Sequence, residues 1–409
     1  MSAFIAAVFI AVYAGMALGR WPGLRIDRTG IALLGAIALV GFGAVSDETA
    51  ARAIDAPTLI ILFGLMVLSA QFAVSGCYDW CAAKLAGSAA TPARILASTI
   101  AVGGLLSTVL VNDIVVFAMT PLLCLGLARR GLDPRPYLLG LAGAANAGSA
   151  ATIIGNPQNI LIGEIGGLGF WSFAAVCGPP ALAALAIVYG AVRWRWRREL
   201  TSVNVPTAAA PPPALDRGGV AKSSLALVAL LVLFTTPLDR ATGVLLVAGF
   251  LLVSRRIETR RILGFVDWHL LILFAGLFVV TAAFTSTGWP GPALAVLGET
   301  GFALDSIVVL APVAILGSNT IGNVPAVVLL LALHPTFAPA ALYALALVST
   351  LAGNLLLVGS ICNIIVAERA REAGVTLTFA DFARAGLPMT ALSVLVALGW
   401  LAVLGPIGG

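Results

Sequence analysis

The sequence predicts an all-α polytopic membrane protein, and three observations carry that class. Of 409 residues, 60% are hydrophobic and only 10% charged, with a mean hydropathy of +1.05, whereas a soluble domain carries about 25% charged residues. The apolar runs are continuous and rich in Leu, Ala and Val, unlike the alternating strands of an outer-membrane barrel. The two halves of the chain also resemble each other. Together these predict two inverted-topology repeats, each with five transmembrane helices, one re-entrant hairpin and one broken helix.

Apolar runs of about 17–25 residues can cross a bilayer. They lie near 2–19, 29–46, 56–76, 137–163, 168–192, 223–238, 241–254, 267–287, 338–366 and 387–405. The first run lacks a preceding basic segment and is followed by Arg20, so it reads as an uncleaved helix rather than a signal peptide. Arg and Lys gather in alternate loops: Arg20–Arg28, Lys84–Arg94, Arg129–Arg135, Arg193–Arg198, Arg255–Arg261 and Arg369–Arg371. Placing those loops in the cytoplasm gives ten crossings with both termini outside, in a bacterial-type inner membrane. The net charge of +5 belongs to these loops and is not a nucleic-acid signal. The expected partners are the lipid bilayer and a small-molecule or ion substrate, with no nucleic acid. Five cysteines scattered through apolar segments read as packing thiols.

The long polar stretch 193–222, with its Arg cluster and Pro run, reads as a mobile cytoplasmic linker. It divides repeat 1 (1–192) from repeat 2 (223–409). Asp55, Gly64, Phe72 and Gly76 recur as Asp267, Gly276, Phe284 and Gly288 with identical spacing. Ser107 and Asn112 recur as Ser318 and Asn323, and Gly155 and Asn159 as Gly359 and Asn363. Five crossings per half place the second copy upside down. Inverted repeats are a signature of secondary transporters, with sites near the midplane at the repeat interface.

Two segments do not fit as single crossings. In 93–129 the arms Ile95–Leu106 and Ile114–Ala128 flank a polar tip of Ser107, Thr108, Asn112 and Asp113. In 303–335 the arms flank "SNTIGN", residues 318–323. Both read as re-entrant hairpins entering from opposite sides, which requires that their tips lie in protein or beside water. Each precedes an interrupted crossing. In 137–163 the break is expected at Gly155–Pro157, and in 338–366 at Gly353–Asn354 and Gly359–Ser360. Half-helix N-termini favour anions, while freed carbonyls and Asn or Ser oxygens favour cations. Each tip with its broken helix therefore makes half of a site. Asp113 is the only charged residue between Arg94 and Arg129. An intramembrane carboxylate of this kind marks function, so Asp113 is expected to carry a proton, or to ligate Na+ with Asn112 and loop carbonyls. The expected cofactor set is empty apart from H+ or Na+ as coupling ion.

These residues resemble the ion transporter superfamily, which includes citrate-transporter-like permeases, arsenite permeases, NhaD-type sodium/proton antiporters and divalent anion/sodium symporters. The family's Ser-Asn-Thr signature stands complete as Ser318-Asn319-Thr320 and is reduced to Ser107-Thr108-Val109 in the first repeat. "VND…TP" and "SNTIGNVPAVVLL" look most like the arsenite-permease branch. The resemblance implies a first site of Ser107, Asn112, Asp113, Asn156 and Asn159, with Na+ at Asn112, Asp113 and Asn159. It implies a second site of Ser318, Asn319, Thr320, Asn323, Asn354, Ser360 and Asn363, and a homodimer. The reduced first signature favours proton or single-cation coupling through Asp113.

The expected function is secondary active transport of a small inorganic or organic anion by alternating access. The alternatives are a Na+/H+ antiporter and, further off, a passive channel. An enzyme is not expected. The only histidines, His269 and His334, lie in no nucleophile motif, and no zinc-ligand cluster occurs.

Overall fold

The computed structural model describes all residues except Pro22, Ala89, 202–212, Thr300 and 406–409. The first half comprises α1 (Ser2–Leu18), α2 (Arg28–Gly41), the short α3 (Asp47–Ala53), α4 (Ala56–Val74), α5 (Cys77–Ala86), α6 (Pro92–Val109), α7 (Asn112–Arg129), α8 (Arg135–Ser149), α9 (Pro157–Ile165) and α10 (Phe170–Arg195). The second comprises α11 (Arg217–Leu233), α12 (Arg240–Leu252), the short α13 (Thr259–Leu263), α14 (Trp268–Ser286), α15 (Pro290–Glu299), α16 (Ile307–Thr320), α17 (Asn323–Leu333), α18 (Pro339–Ala352), α19 (Ile361–Glu372) and α20 (Phe379–Leu404). Every expected crossing has a helical counterpart. By length and composition α4, α6, α7, α10, α14 and α20 are each able to cross a membrane.

The repeat is physical. Helix α2 packs on α14 as α12 packs on α4, α6 on α8 as α16 on α18, and α7 on α19 as α17 on α9. Helices α10 and α20 pack on each other. Each position of the sequence repeat has a mechanical reason. Asp55 and Asp267 accept from Thr58 N and Leu270 N, both at 2.9 Å, and so cap α4 and α14. Gly64 and Gly276 lie where those helices cross α12 and α2. A Cβ would sit 2.3 Å from the Val244 side chain in one and 2.8 Å from the Ala32 backbone in the other. Gly76 and Gly288 turn the chain in the left-handed region at φ 76° and 75°, where a side chain is strained.

Helices α6 and α7 form the first hairpin. The Arg130 guanidinium, just past the end of α7, donates to the carbonyls of Ala86, Ser88 and Ala90 just before α6, which brings the two feet together. Both arms are 18 residues long, longer than the sequence suggests, yet the tip is interior. Val111 N donates to Ser69 Oγ within α4 at 2.9 Å, and Thr108 donates to Gly148 O at the end of α8. The predicted linker is shorter than 193–222. Helix α10 extends to Arg195, and α11 begins at Arg217 on its Asp216 cap, with Asp216 N bonded to Ser75 O. Of the stretch between these two helices, residues 202–212 lie outside the described residues.

Candidate functional site

Both broken helices are built the same way; the first break starts earlier than expected, and the second falls at Gly353–Asn354 and Gly359–Ser360 as the sequence predicts. Helix α8 ends at Ser149, a short 3-10 turn covers Ile153–Gly155, and α9 starts at Pro157. Pro157 therefore does not kink a helix; it opens one, at the position where a missing N–H costs nothing. The other crossing stops at Ala352 and restarts at Ile361. Asn159 Nδ2 ties the frayed carbonyls of Ser149 and Thr152 at 3.2 and 3.1 Å. Asn363 Nδ2 does the same for Gly353 and Leu356 at 2.7 and 2.9 Å. These two amides hold the breaks open, so their N–H groups are committed.

The hairpin tips meet these breaks. Ser107, Asn112, Asp113, Asn156 and Asn159 are all buried. Asn112 Nδ2 donates to Ser149 Oγ at 3.3 Å. Asn156 caps α9 by accepting from Asn159 N at 2.9 Å, and its amide donates to Ser149 Oγ at 3.0 Å. Asp113 turns toward the other half, where Cys362 Sγ donates to its Oδ1 at 3.0 Å.

In the second half Ser318, Asn323, Asn354, Ser360 and Asn363 are buried. Ser318 donates to Ser349 O at 3.3 Å, and Asn319 donates to Ala352 O at 2.9 Å. Asn323 Oδ1 accepts from Val324 N at 3.0 Å. Thr320 stands apart from this group. It is exposed, and its hydroxyl bonds back to Leu316 O and Gly317 O in its own helix.

Two residues that sequence reasoning missed join the halves. Asn146 on α8 donates to Asn354 Oδ1 at 2.8 Å and Asn363 Oδ1 at 3.3 Å, and accepts from Ser360 Oγ at 2.9 Å. Thr350 on α18 donates to Asn159 Oδ1 at 3.3 Å and accepts from Gln158 Nε2 at 3.1 Å. Asn146 stands thirteen residues before Asn159, and Thr350 thirteen before Asn363, so each is the other's repeat counterpart. That spacing was the available signal, alongside an Asn in an otherwise apolar helix.

The unpaired atoms define what the site can hold. Ser107 Oγ, Asn112 Oδ1, Gln158 Oε1 and Asn319 Oδ1 are buried without a hydrogen-bond partner among the described residues. Three of the four are pure acceptors and the fourth is a hydroxyl. Ser107, Asn112 and Gln158 lie in the first half with the Asp113 carboxylate, and Asn319 lies in the second; oxygens of this kind suit a hard cation or a proton. One guanidinium approaches from outside the motifs. Arg28 Nη1 lies 3.6 Å from where a Cβ on Gly322 would stand, beside the second hairpin tip.

A family model decides the relationship, matching residues 7–351 under the description citrate transporter. The chain belongs to the citrate transporter family. Family relatives extend over nearly its whole length. An uncharacterized transporter of Mycobacterium tuberculosis is 29% identical over 98% of each chain. A silicon efflux transporter of Oryza sativa subsp. japonica is 30% identical over 90% of this chain and 91% of its own. An inner membrane protein of Escherichia coli is 30% identical over 91% and 94%. Among solved structures, the YdaH transporter of Alcanivorax borkumensis aligns with a TM-score of 0.57 at 15% identity, covering 100% of this chain and 99% of its own, and shares the fold. This family member is a multi-pass membrane transporter rather than an enzyme.

Proposed function

We propose that the chain is a secondary active permease for a small inorganic or organic anion, coupled to H+ or Na+. The observation that carries this reading is Asp113. The carboxylate sits at the tip of one repeat's hairpin, next to Asn112 in the chain, and accepts from Cys362 in the broken helix of the other. A coupling cation at Asn112, Asp113 and Asn159 would supply positive charge at the first tip. Substrate would then lie between the two broken helices, against Asn354, Ser360 and Asn363. Because Asp113 spans the repeats, gain or loss of a cation there changes the contact that holds one half to the other. Alternating access follows from that coupling. Residues 1–192 and 223–409 act as the two repeats in this reading.

The test is uptake into proteoliposomes of citrate, arsenite and silicic acid, with and without Na+, at two pH values. Citrate uptake driven by a proton or Na+ gradient supports the proposal, whereas gradient-driven uptake of arsenous or silicic acid alone, uncharged near neutral pH, keeps the permease and overturns the anion. Asp113→Asn is expected to abolish gradient-driven uptake while leaving exchange of internal for external substrate. Full coupled uptake with an unchanged pH profile would refute the carrier assignment. The oxygen-rich donor set also favours a second reading, Na+/H+ antiport with Asp113 alternating between the two cations. Antiport is distinguished by a Na+-dependent pH change in vesicles containing no anion.

A further inference from the structure

The repeat extends to six charged residues outside the predicted site residues. Asp27-Arg28 opens α2, and Asp239-Arg240 opens α12. Asp27 and Asp239 each cap their helix through Oδ, bonding Gly30 N and Thr242 N at 2.9 and 2.8 Å. Five residues beyond Asn159 stands Glu164, and five beyond Asn363 stands Glu368. The sequence thus holds two equivalent Arg–Glu couples, Arg240 with Glu164 and Arg28 with Glu368. Each couple sets an Arg at the start of α12 or α2 against a Glu toward the end of a broken helix from the other repeat.

Only one couple is closed. Arg240 Nη1 bonds Glu164 Oε1 at 2.9 Å, with side-chain exposures of 24% and 15%, and the same guanidinium donates to Leu168 O. Arg28 makes no ion pair among the described residues; its Nε donates to Met16 O at 3.1 Å. Glu368 is exposed and likewise makes no ion pair among the described residues. Packing follows the same asymmetry. Helix α9, which carries Glu164, packs on α4, whereas α19 packs on α7 and α8 with no comparable contact on α14.

The couples lie at opposite mouths. Helix α2 leaves the Arg28 face, and the short connection after it delivers the chain to the start of α4. Ala56 and Pro57 at that start line a groove with Asp239 and Thr242 at the start of α12. At the other face Thr29 bonds His269 O, so α2 and α14 start together there.

We propose that Arg240–Glu164 and Arg28–Glu368 are two mutually exclusive ion-pair latches, one at each mouth, and that exchanging them is the conformational switch of this chain. An inverted repeat reaches its second state by swapping the arrangements of its halves. In that state α19 docks beside α14 and Glu368 meets Arg28, while α9 leaves α4 and Glu164 is released. A half-buried pair is able to bias such an equilibrium, because its partners differ in charge contact between the states. The inference rests on the permease reading for the motion, but its readout needs no substrate.

The test places spin labels at Val253→Cys, at the exposed end of α12, and Arg371→Cys, on α19. The background is Cys77→Ser/Cys81→Ser, with the protein reconstituted in nanodiscs. Both label sites lie on the Arg28 face. Arg240→Gln and Glu164→Gln are each expected to raise a second, shorter distance about tenfold in population relative to the parent. Adding Glu368→Gln should remove it again, and the charge swap Arg240→Glu/Glu164→Arg should restore the parent distribution. If Arg240→Gln does not fold, Glu164→Gln and the swap carry the test. Distributions unchanged by the Glu164→Gln variant, or a second population that survives Glu368→Gln, overturn the proposal. Shifted populations in a chain that takes up no anion count against the permease reading alone. Coupled uptake with unshifted populations counts against the latches alone.

Discussion

Asn146 shows how much a single buried amide decides. It satisfies three polar groups of the opposite repeat at once. Removing it strands buried acceptors, each costing about 1–3 kcal/mol. Asn146→Ala is therefore expected to lower stability by about 2–4 kcal/mol, read as a fall in the midpoint of unfolding in detergent. Thr350→Val, which removes a hydroxyl that donates to Asn159 and accepts from Asn156 and Gln158, should cost a comparable amount. Unchanged midpoints in both variants would mean the halves do not meet through these residues. Sequence inspection named Asn354, Ser360 and Asn363, which bond to Asn146, but named neither Asn146 nor Cys362 as site residues. An Asn or Cys among Ala and Gly in a membrane helix packs as readily as it binds. Its role depends on which residue of the other half faces it, some 200 positions away. Thr320 is the converse. The Ser-Asn-Thr motif predicted three site residues, and helical geometry turns the third outward onto its own backbone carbonyls.

At the scale of elements, helix ends were legible and helix breaks were less so. An Asp before an apolar run is a local signal, because the cap is made within three residues. Asp55→Ala and Asp267→Ala should each cost about 1 kcal/mol, seen as small and similar losses in unfolding midpoint. A break depends on what replaces the lost backbone bonds. Helix α8 stops at Ser149, well before the proline, because Asn156 and Asn159 supply donors to its freed carbonyls. Close crossings are equally non-local. At Gly386 a Cβ would stand 2.2 Å from Asn354 O and 2.3 Å from Leu355 O. Gly386→Ala must therefore push α20 away from the second break. Overpacking of this kind costs about 1–3 kcal/mol, and here it should also impair transport by displacing Asn354. A Gly386→Ala protein with parental stability and uptake would show that the contact yields freely.

At the scale of the molecule, the symmetry read from a handful of matched residues extends to pairwise packing of whole helices. The halves are nevertheless unequal: one Arg–Glu couple is closed, and one hairpin carries a carboxylate where the other has Val324. The distribution of basic loops further predicts that both termini face away from the cytoplasm. Tags placed at each end should react with a membrane-impermeant reagent in intact cells, and a cysteine at Val253, beside Arg255 and Arg256, should not. Reaction of the Val253 site with both termini protected would invert the orientation.

The sequence by itself determined the all-α membrane class, the places of the apolar helices and the matched residues of the two halves. Hydrophobic run length, basic-loop alternation and caps are all written within about 20 neighbouring residues. Tertiary structure alone decided which polar atoms are committed and which are left unpaired, which glycine sits at a crossing, and which of two equivalent charge couples is closed. Those outcomes depend on distances between segments from different halves. A linear pattern of residue types names the groups available for such contacts, but only the packed chain fixes their partners.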